Sequence, residues 1–285
     1  MNTLVKITSI MAGIVAMSLA IPANANFSWT FTSNPPSGSC SSSNPGTLGN
    51  NCTQSDTDGS TVIGVTATAW ASSGTTSGTN IEKATLNLWD GLAVQSQGEA
   101  WNVAPDHATD NNGKLEGVLF SFDHAIALSS VTMGWHTDSD FSLLRYTGAA
   151  FDGLEGKQYN NLIGNGWELV GNYTYGSGNS DLDITANVDG NSPDDFTGPL
   201  GTNGAAKSVT VDAALSSSYW LVTALNGAFW SDSRYIGNDY FKVKNLTGIY
   251  STPPVPPASV PEPSTLALYC LALMGFGYTR RKASL

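Results

Sequence analysis

The chain has 285 residues, with hydrophobics at 41%, charged residues at only 12%, and 30 glycines and eight tryptophans. A normal apolar share with this many aromatics excludes a disordered polymer, which is poor in aromatics and usually rich in charge. Twelve basic residues against 23 acidic ones leave a net charge of −11, which argues against nucleic-acid binding, because that requires a cationic face to neutralise phosphates.

Residues 1–25 read as a signal peptide. Lys6 is the only charge ahead of the apolar run from Ile7 to Ile21, and Ala23-Asn24-Ala25 closes it with the small-x-small pattern that signal peptidase cuts. Cleavage after Ala25 makes Asn26 the first residue of an exported chain.

The body, residues 26–250, keeps eight basic and 22 acidic residues, a net −14, and is long enough for one large core. Phe27 to Thr32 alternates aromatic with polar residues. Ser33 to Ser60 is polar and reads as an excursion from that first strand. It contains Cys40 and Cys52, the two cysteines of the exported body. An oxidising compartment favours a disulfide between them, whereas two thiols with no neighbouring histidine make no zinc site. Thr61 to Ala71 is β-branched and small. Val118, Phe120 and Phe122 alternate with Leu119, Ser121 and Asp123, and Val209 and Val211 do the same further on. Ser216 to Asn226 is continuously apolar around Tyr219-Trp220-Leu221-Val222, which fits a strand buried on both faces. These period-two runs between Gly, Asn and Asp turns predict an all-β body of two packed sheets, a sandwich or jelly roll.

The body shows no catalytic motif. His136-Thr137-Asp138-Ser139-Asp140 gathers triad residue types, but no nucleophile elbow surrounds Ser139. Gly201 to Ser208 resembles a phosphate loop but lacks a glycine directly before Lys207. The expectation is therefore a protein without catalytic turnover and without an organic cofactor. Calcium is a candidate structural ion, since it takes 6–8 hard oxygens. Asp56-Thr57-Asp58-Gly59, Asp106 to Glu116, and above all Asp181, Asp183, Asp189, Asp194 and Asp195 collect such ligands in turns. None completes the EF-hand spacing, and aspartates also favour turns for backbone reasons alone. Among the tryptophans, Trp135 and Trp220 lie in core-like runs. Trp89, Trp101, Trp167 and Trp230 stand beside Gly, Asp or Asn and read as exposed. Trp101 and Trp167 are the candidate sugar platforms.

The C-terminal end carries a second address. Residues 251–259, Ser-Thr-Pro-Pro-Val-Pro-Pro-Ala-Ser, form a Pro-rich spacer that should be extended and semi-rigid. Val260-Pro261-Glu262-Pro263 follows, then the apolar run Ser264 to Thr279, then Arg280-Arg281-Lys282 within the tail 280–285. Sixteen helical residues span about 24 Å, slightly less than a hydrocarbon core of about 30 Å. Such a helix anchors weakly, and the basic cluster should stay on the cytoplasmic side.

These three ordered parts resemble the PEP-CTERM sorting signal, over residues 260–282. The resemblance implies processing by exosortase, a membrane-embedded cysteine transpeptidase, at Pro261-Glu262-Pro263. It also implies a Gram-negative bacterium and a surface role tied to exopolysaccharide or biofilm matrix. Gly117 to Trp135 and Asp138 to Tyr146 further resemble an exosortase-dependent surface-protein family of unassigned activity. The partners so implied are signal peptidase, exosortase, the inner membrane during sorting, and an exopolysaccharide.

Overall fold

A computed structural model of the chain describes residues 24–32, 39–40, 47–100, 108–173, 196–197, 207–211, 215–229 and 239–251. Residues 1–23 of the expected signal peptide, the expected Pro-rich spacer from residue 252, and the C-terminal motif with its apolar run all lie outside these residues. So do Asp181, Asp183, Asp189, Asp194, Asp195, Trp101 and Trp230. Asn24–Ser251 forms one compact unit. Among the described residues, no helix is long and apolar enough to cross a membrane.

Among the described residues fifteen strands follow one another: β1 Asn24–Thr30, β2 Ser39–Cys40, β3 Asn51–Asp58, β4 Thr61–Ser72, β5 Ile81–Lys83, β6 Thr85–Leu88, β7 Leu92–Gln95, β8 Thr109–Asp110, β9 Glu116–Asp138, β10 Phe141–Tyr146, β11 Trp167–Tyr173, β12 Phe196–Thr197, β13 Lys207–Thr210, β14 Ser216–Ala224 and β15 Tyr240–Ser251. A 3-10 turn, Tyr159–Asn161, lies between β10 and β11. The all-β expectation is met. The expectation of two separate packed sheets is corrected: hydrogen bonding runs through one antiparallel sheet whose main path is β11-β10-β14-β9-β15-β7-β6.

The reason is the length of β9. Its first half lies between β4, with Ala67 opposite Phe120, and β14, with Trp220 opposite Phe120. Its second half lies between β13, with Val209 opposite Val131, and β15, with Leu246 opposite Val131. One strand of 23 residues therefore belongs to both halves of the hydrogen-bonded ladder. Its pairing with β15 is irregular, with register shifts at several points along β15. Side chains from both halves share one core, including Phe27, Trp29, Phe31, Ile63, Val118, Phe120, Met133, Phe141, Trp220 and Phe241.

A second apolar cluster covers the opposite face of β9, β10 and β14. Leu154, Tyr159 and Leu162, from the segment between β10 and β11, pack on Trp70, Leu119, Leu144, Trp167 and Leu221. This is why Leu119 is as buried as its alternating neighbours Val118 and Phe120. It is also why Trp220 to Val222 reads as continuously apolar.

The polar stretch Ser33 to Ser60 is not only an excursion. It contains β2 and the eight-residue strand β3, which pairs along its whole length with β4. Only Cys52 and Gln54 of β3 are buried, so its sequence carries too few apolar residues to announce a strand. The pairing of β2 with β3 sets Cys40 directly opposite Cys52.

Candidate functional site

The site is built by a tight hairpin. Leu88 pairs with Leu92, leaving Trp89-Asp90-Gly91 as the loop between β6 and β7. Asp90 takes a positive φ of 55°, and Gly91 takes 129°. A short aspartate tolerates the left-handed region, and glycine occupies it without a Cβ penalty. The Trp89 N–H closes the loop on Gly91 O at 3.1 Å.

Two glycines let this tip press onto the sheet. A Cβ on Gly91 would stand 2.8 Å from Cβ of Lys242, and one on Gly134 would stand 2.1 Å from Asp90 O. The hairpin tip thus rests on β15 on one side and β9 on the other. The result is a cleft of about 310 Å³ whose described walls are Trp89, Asp90, Trp135 and Lys242.

Lys242 sits at the centre. On β15 its neighbours Phe241 and Val243 enter the core, so Lys242 emerges on the opposite face, where the hairpin covers it down to 2% exposure. Its Nζ donates to Trp89 O at 3.1 Å. The ammonium lies 4.4 Å from the Trp89 ring centroid and 5.6 Å from that of Trp135, both within cation–π range. Asp90 is engaged elsewhere: its Oδ1 accepts from Lys244 Nζ at 2.7 Å. Burial therefore dominates the titration of Lys242 and pushes its amine down to about 8, with Asp90 opposing the shift. Trp89 itself is 68% exposed.

The site residues expected from sequence fare differently. Trp167 is no sugar platform. It is 2% exposed, within the second apolar cluster, edge-on to Tyr146 and Phe151. Trp135, read as core, is instead half-buried and lines the cleft. Trp101 lies outside the described residues, as do the five aspartates from Asp181 to Asp195.

The other acidic turns use their carboxylates on the protein's own backbone. Ser28 N–H donates to Asp56 Oδ2 at 2.6 Å, and Asn26 N–H donates to Asp58 Oδ2 at 3.0 Å. Asn112 N–H donates to Asp110 Oδ1 at 2.9 Å, and Asp110 N–H donates to Glu116 Oε2 at 3.0 Å. Among the described residues, no group of three or more His, Cys, Asp or Glu side chains is arranged to hold a metal ion. Glu116 is fully buried, and that burial, with Asp110 and Glu99 adding to it, holds its carboxyl well above the usual range. Ser139 is completely buried, so a substrate could not reach its hydroxyl.

Lys242 was hidden from sequence reasoning. Phe241-Lys242-Val243-Lys244 reads as a strand with two solvent-facing cations, and only the docking of a distant hairpin converts one of them into a buried amine.

At the level of sequence families, residues 259–282 match the PEP-CTERM protein-sorting motif. The motif implies an exported cell-surface protein processed by exosortase. No curated protein and no solved structure matches the chain.

Proposed function

We propose that this carrier of the PEP-CTERM sorting motif is delivered to the outer surface of a Gram-negative cell. There its β body serves a structural or adhesive role in the exopolysaccharide matrix, without catalytic turnover. The observation that carries the reading is the motif itself, matched over residues 259–282. Signal peptidase acts after Ala25. The apolar run Ser264 to Thr279 holds the chain in the inner membrane, with Arg280, Arg281 and Lys282 inside, until exosortase acts at Pro261-Glu262-Pro263. Prolines on both sides of Glu262 keep that segment extended, because neither donates a backbone hydrogen bond and each biases its predecessor away from helix. An extended segment is accessible to a protease where a continuous helix would bury its own backbone.

The test replaces Pro261-Glu262-Pro263 by alanines. Full-length protein should accumulate in the inner membrane. Unchanged surface delivery and an unchanged mature mass would overturn the reading.

A second reading has a specific observation behind it: the body is a polysaccharide-binding module. The cleft framed by Trp89 and Trp135 supports it, since ligand sites are concave, mostly apolar or aromatic, and carry a few placed polar groups. Retention on the host's own exopolysaccharide, lost on Trp89→Ala, is the outcome it requires.

A further inference from the structure

The body contains four Asn-Gly pairs: Asn112-Gly113, Asn165-Gly166, Asn203-Gly204 and Asn226-Gly227. Asparagine before glycine is chemically labile, because a following residue without a Cβ leaves its backbone nitrogen open to the asparagine side chain. Whether a given pair reacts depends on how firmly the fold holds it. Asn203-Gly204 lies outside the described residues.

The fold locks two of the other three. Asn226 is completely buried. Its Nδ2 donates to Thr223 Oγ1 at 3.1 Å, and its Oδ1 accepts from the Ala228 N–H at 3.0 Å. Asn165 is exposed but tied, since its Nδ2 donates to Asn161 O at 2.6 Å. Beside it, Gly166 O accepts from the Thr147 N–H at 2.7 Å, and a Cβ on Gly166 would stand 2.5 Å from the Tyr146 ring. That peptide has little room to turn.

Asn112-Gly113 differs on each count. It lies in the bend between β8 and β9, with both residues exposed. The Asn112 N–H donates to Asp110 Oδ1 at 2.9 Å and fixes the turn from behind. Among the described residues, neither the Asn112 side-chain amide nor the Gly113 N–H has a hydrogen-bond partner. Gly113 has φ of 102°, and nothing lies within 4 Å of where its Cβ would be. The side-chain carbonyl carbon and the next backbone nitrogen are therefore adjacent, solvated and able to turn toward each other.

We propose that Asn112 is a self-modifying site, at which the Gly113 nitrogen attacks Asn112 Cγ and the amide is lost as ammonia. The N–Cγ bond forms and the Cγ–Nδ2 bond breaks. The Gly113 N–H proton passes to solvent, and the departing nitrogen takes up a proton to leave as ammonia. Water then opens the cyclic imide. Breaking its bond to Cγ gives aspartate, whereas breaking its bond to the main-chain carbonyl carbon gives isoaspartate, with the main chain rerouted through Cγ. Either product adds a carboxylate to a turn that already carries Asp110, whose N–H donates to the buried Glu116 at 3.0 Å. Each molecule thus gains one negative charge, with time, at a defined place.

The experiment incubates the folded mature protein in mildly alkaline buffer and follows amide loss at Asn112, Asn165 and Asn226 by mass-spectrometric peptide mapping. A hydrogen bond that must break before reaction slows it by up to about tenfold, so Asn112 should convert about tenfold faster than Asn165. Asn226 must also leave the interior, and should be slower still. In urea-unfolded protein the three should convert at similar rates, because the protection comes from the fold. Isoaspartate should accompany aspartate at position 112, and Asn112→Gln should remove the early amide loss from that peptide. Equal rates at Asn112 and Asn165 in the folded protein, or the same ranking in urea, would overturn the inference. Amide loss persisting in the Asn112→Gln peptide would place the reaction at Asn111 and overturn it too.

Discussion

Lys242→Met is expected to make the protein more stable at neutral pH. The folded amine titrates at about 8 instead of 10.5, and each unit of depression is worth about 1.4 kcal/mol. The folded state therefore gives up about 3 kcal/mol at pH 7 to keep the ammonium charged. Methionine has a similar length and no charge. It recovers that penalty and loses the bond to Trp89 O, worth about 1 kcal/mol, together with the cation–π contacts, worth about 0.5–2 kcal/mol. The net gain is about 1 kcal/mol. Its pH dependence is the sharper signature. Because the folded pKa is depressed, the unfolded chain holds more protons between pH 8 and 10.5, so wild-type stability rises with pH across that window. The advantage of the variant should shrink over the same interval. Asp90 and Lys244 sit beside the amine but are common to both proteins and largely cancel in the difference. Urea unfolding of both proteins from pH 7 to 10.5 measures it. A variant less stable than wild type by more than about 1 kcal/mol at pH 7, or a difference that does not change with pH, would refute the argument.

Two further expectations concern the cysteine pair and Glu116. Cys40 and Cys52 stand opposite each other on β2 and β3, and opposed antiparallel residues have Cα separations that a disulfide can bridge. Non-reduced peptide mapping of exported protein should find them linked, and replacing both by serine should lower stability by about 3 kcal/mol through loop entropy; free thiols would refute the pairing. Glu116→Gln removes a carboxyl that burial holds well above its ordinary 4.5. The folded state keeps that proton longer than the unfolded chain, so wild type should lose stability relative to the variant as pH rises from about 4.5. Parallel stability curves across that range would show that Glu116 ionises unhindered.

The parts of the fold that were legible are those where one strand face reports its own burial. Phe27, Trp29 and Phe31 alternate with polar residues and enter the core, as do Val118, Phe120 and Phe122. The strand β3 was hidden because its partner β4 supplies most of the apolar surface at that margin, leaving only Cys52 and Gln54 to point inward. The tryptophans misled for a different reason. Trp167 follows Gly166 and looks exposed, but Phe151, Tyr159 and Leu162 fold back over it. Trp135 follows a buried run of β9 and looks like core, yet Gly134 gives its space to the tip of the β6–β7 hairpin and leaves the indole at the cleft. Local pattern tells which face of a strand is apolar. It does not tell which distant segment covers that face, and both reversals are matters of cover.

The same topology separates the two processing events of the proposed route. Under that route signal peptidase cuts between Ala25 and Asn26, yet in the folded body both residues belong to β1, opposite Tyr250 and Ile249 of β15. A bond held in an antiparallel ladder does not enter a protease cleft in extended form, so that cut must precede the docking of β1. β15 is the last strand of the body, lies between β9 and β7 on the main path, and pairs with the whole of β1. Docking therefore waits until residues up to Ser251 have been exported, which leaves the N-terminal site open for as long as the chain is crossing. Once cut, Asn26 presents an ammonium where its amide donated to Asp58 Oδ2 at 3.0 Å, and the new charge meets a carboxylate. The C-terminal signal faces no such constraint. Pro253 and Pro254 follow Ser251 almost at once and offer no N–H to extend the ladder. The described strands of the body end at Ser251, so on the proposed route the closing of the sheet does not depend on whether exosortase has yet acted at Pro261-Glu262-Pro263.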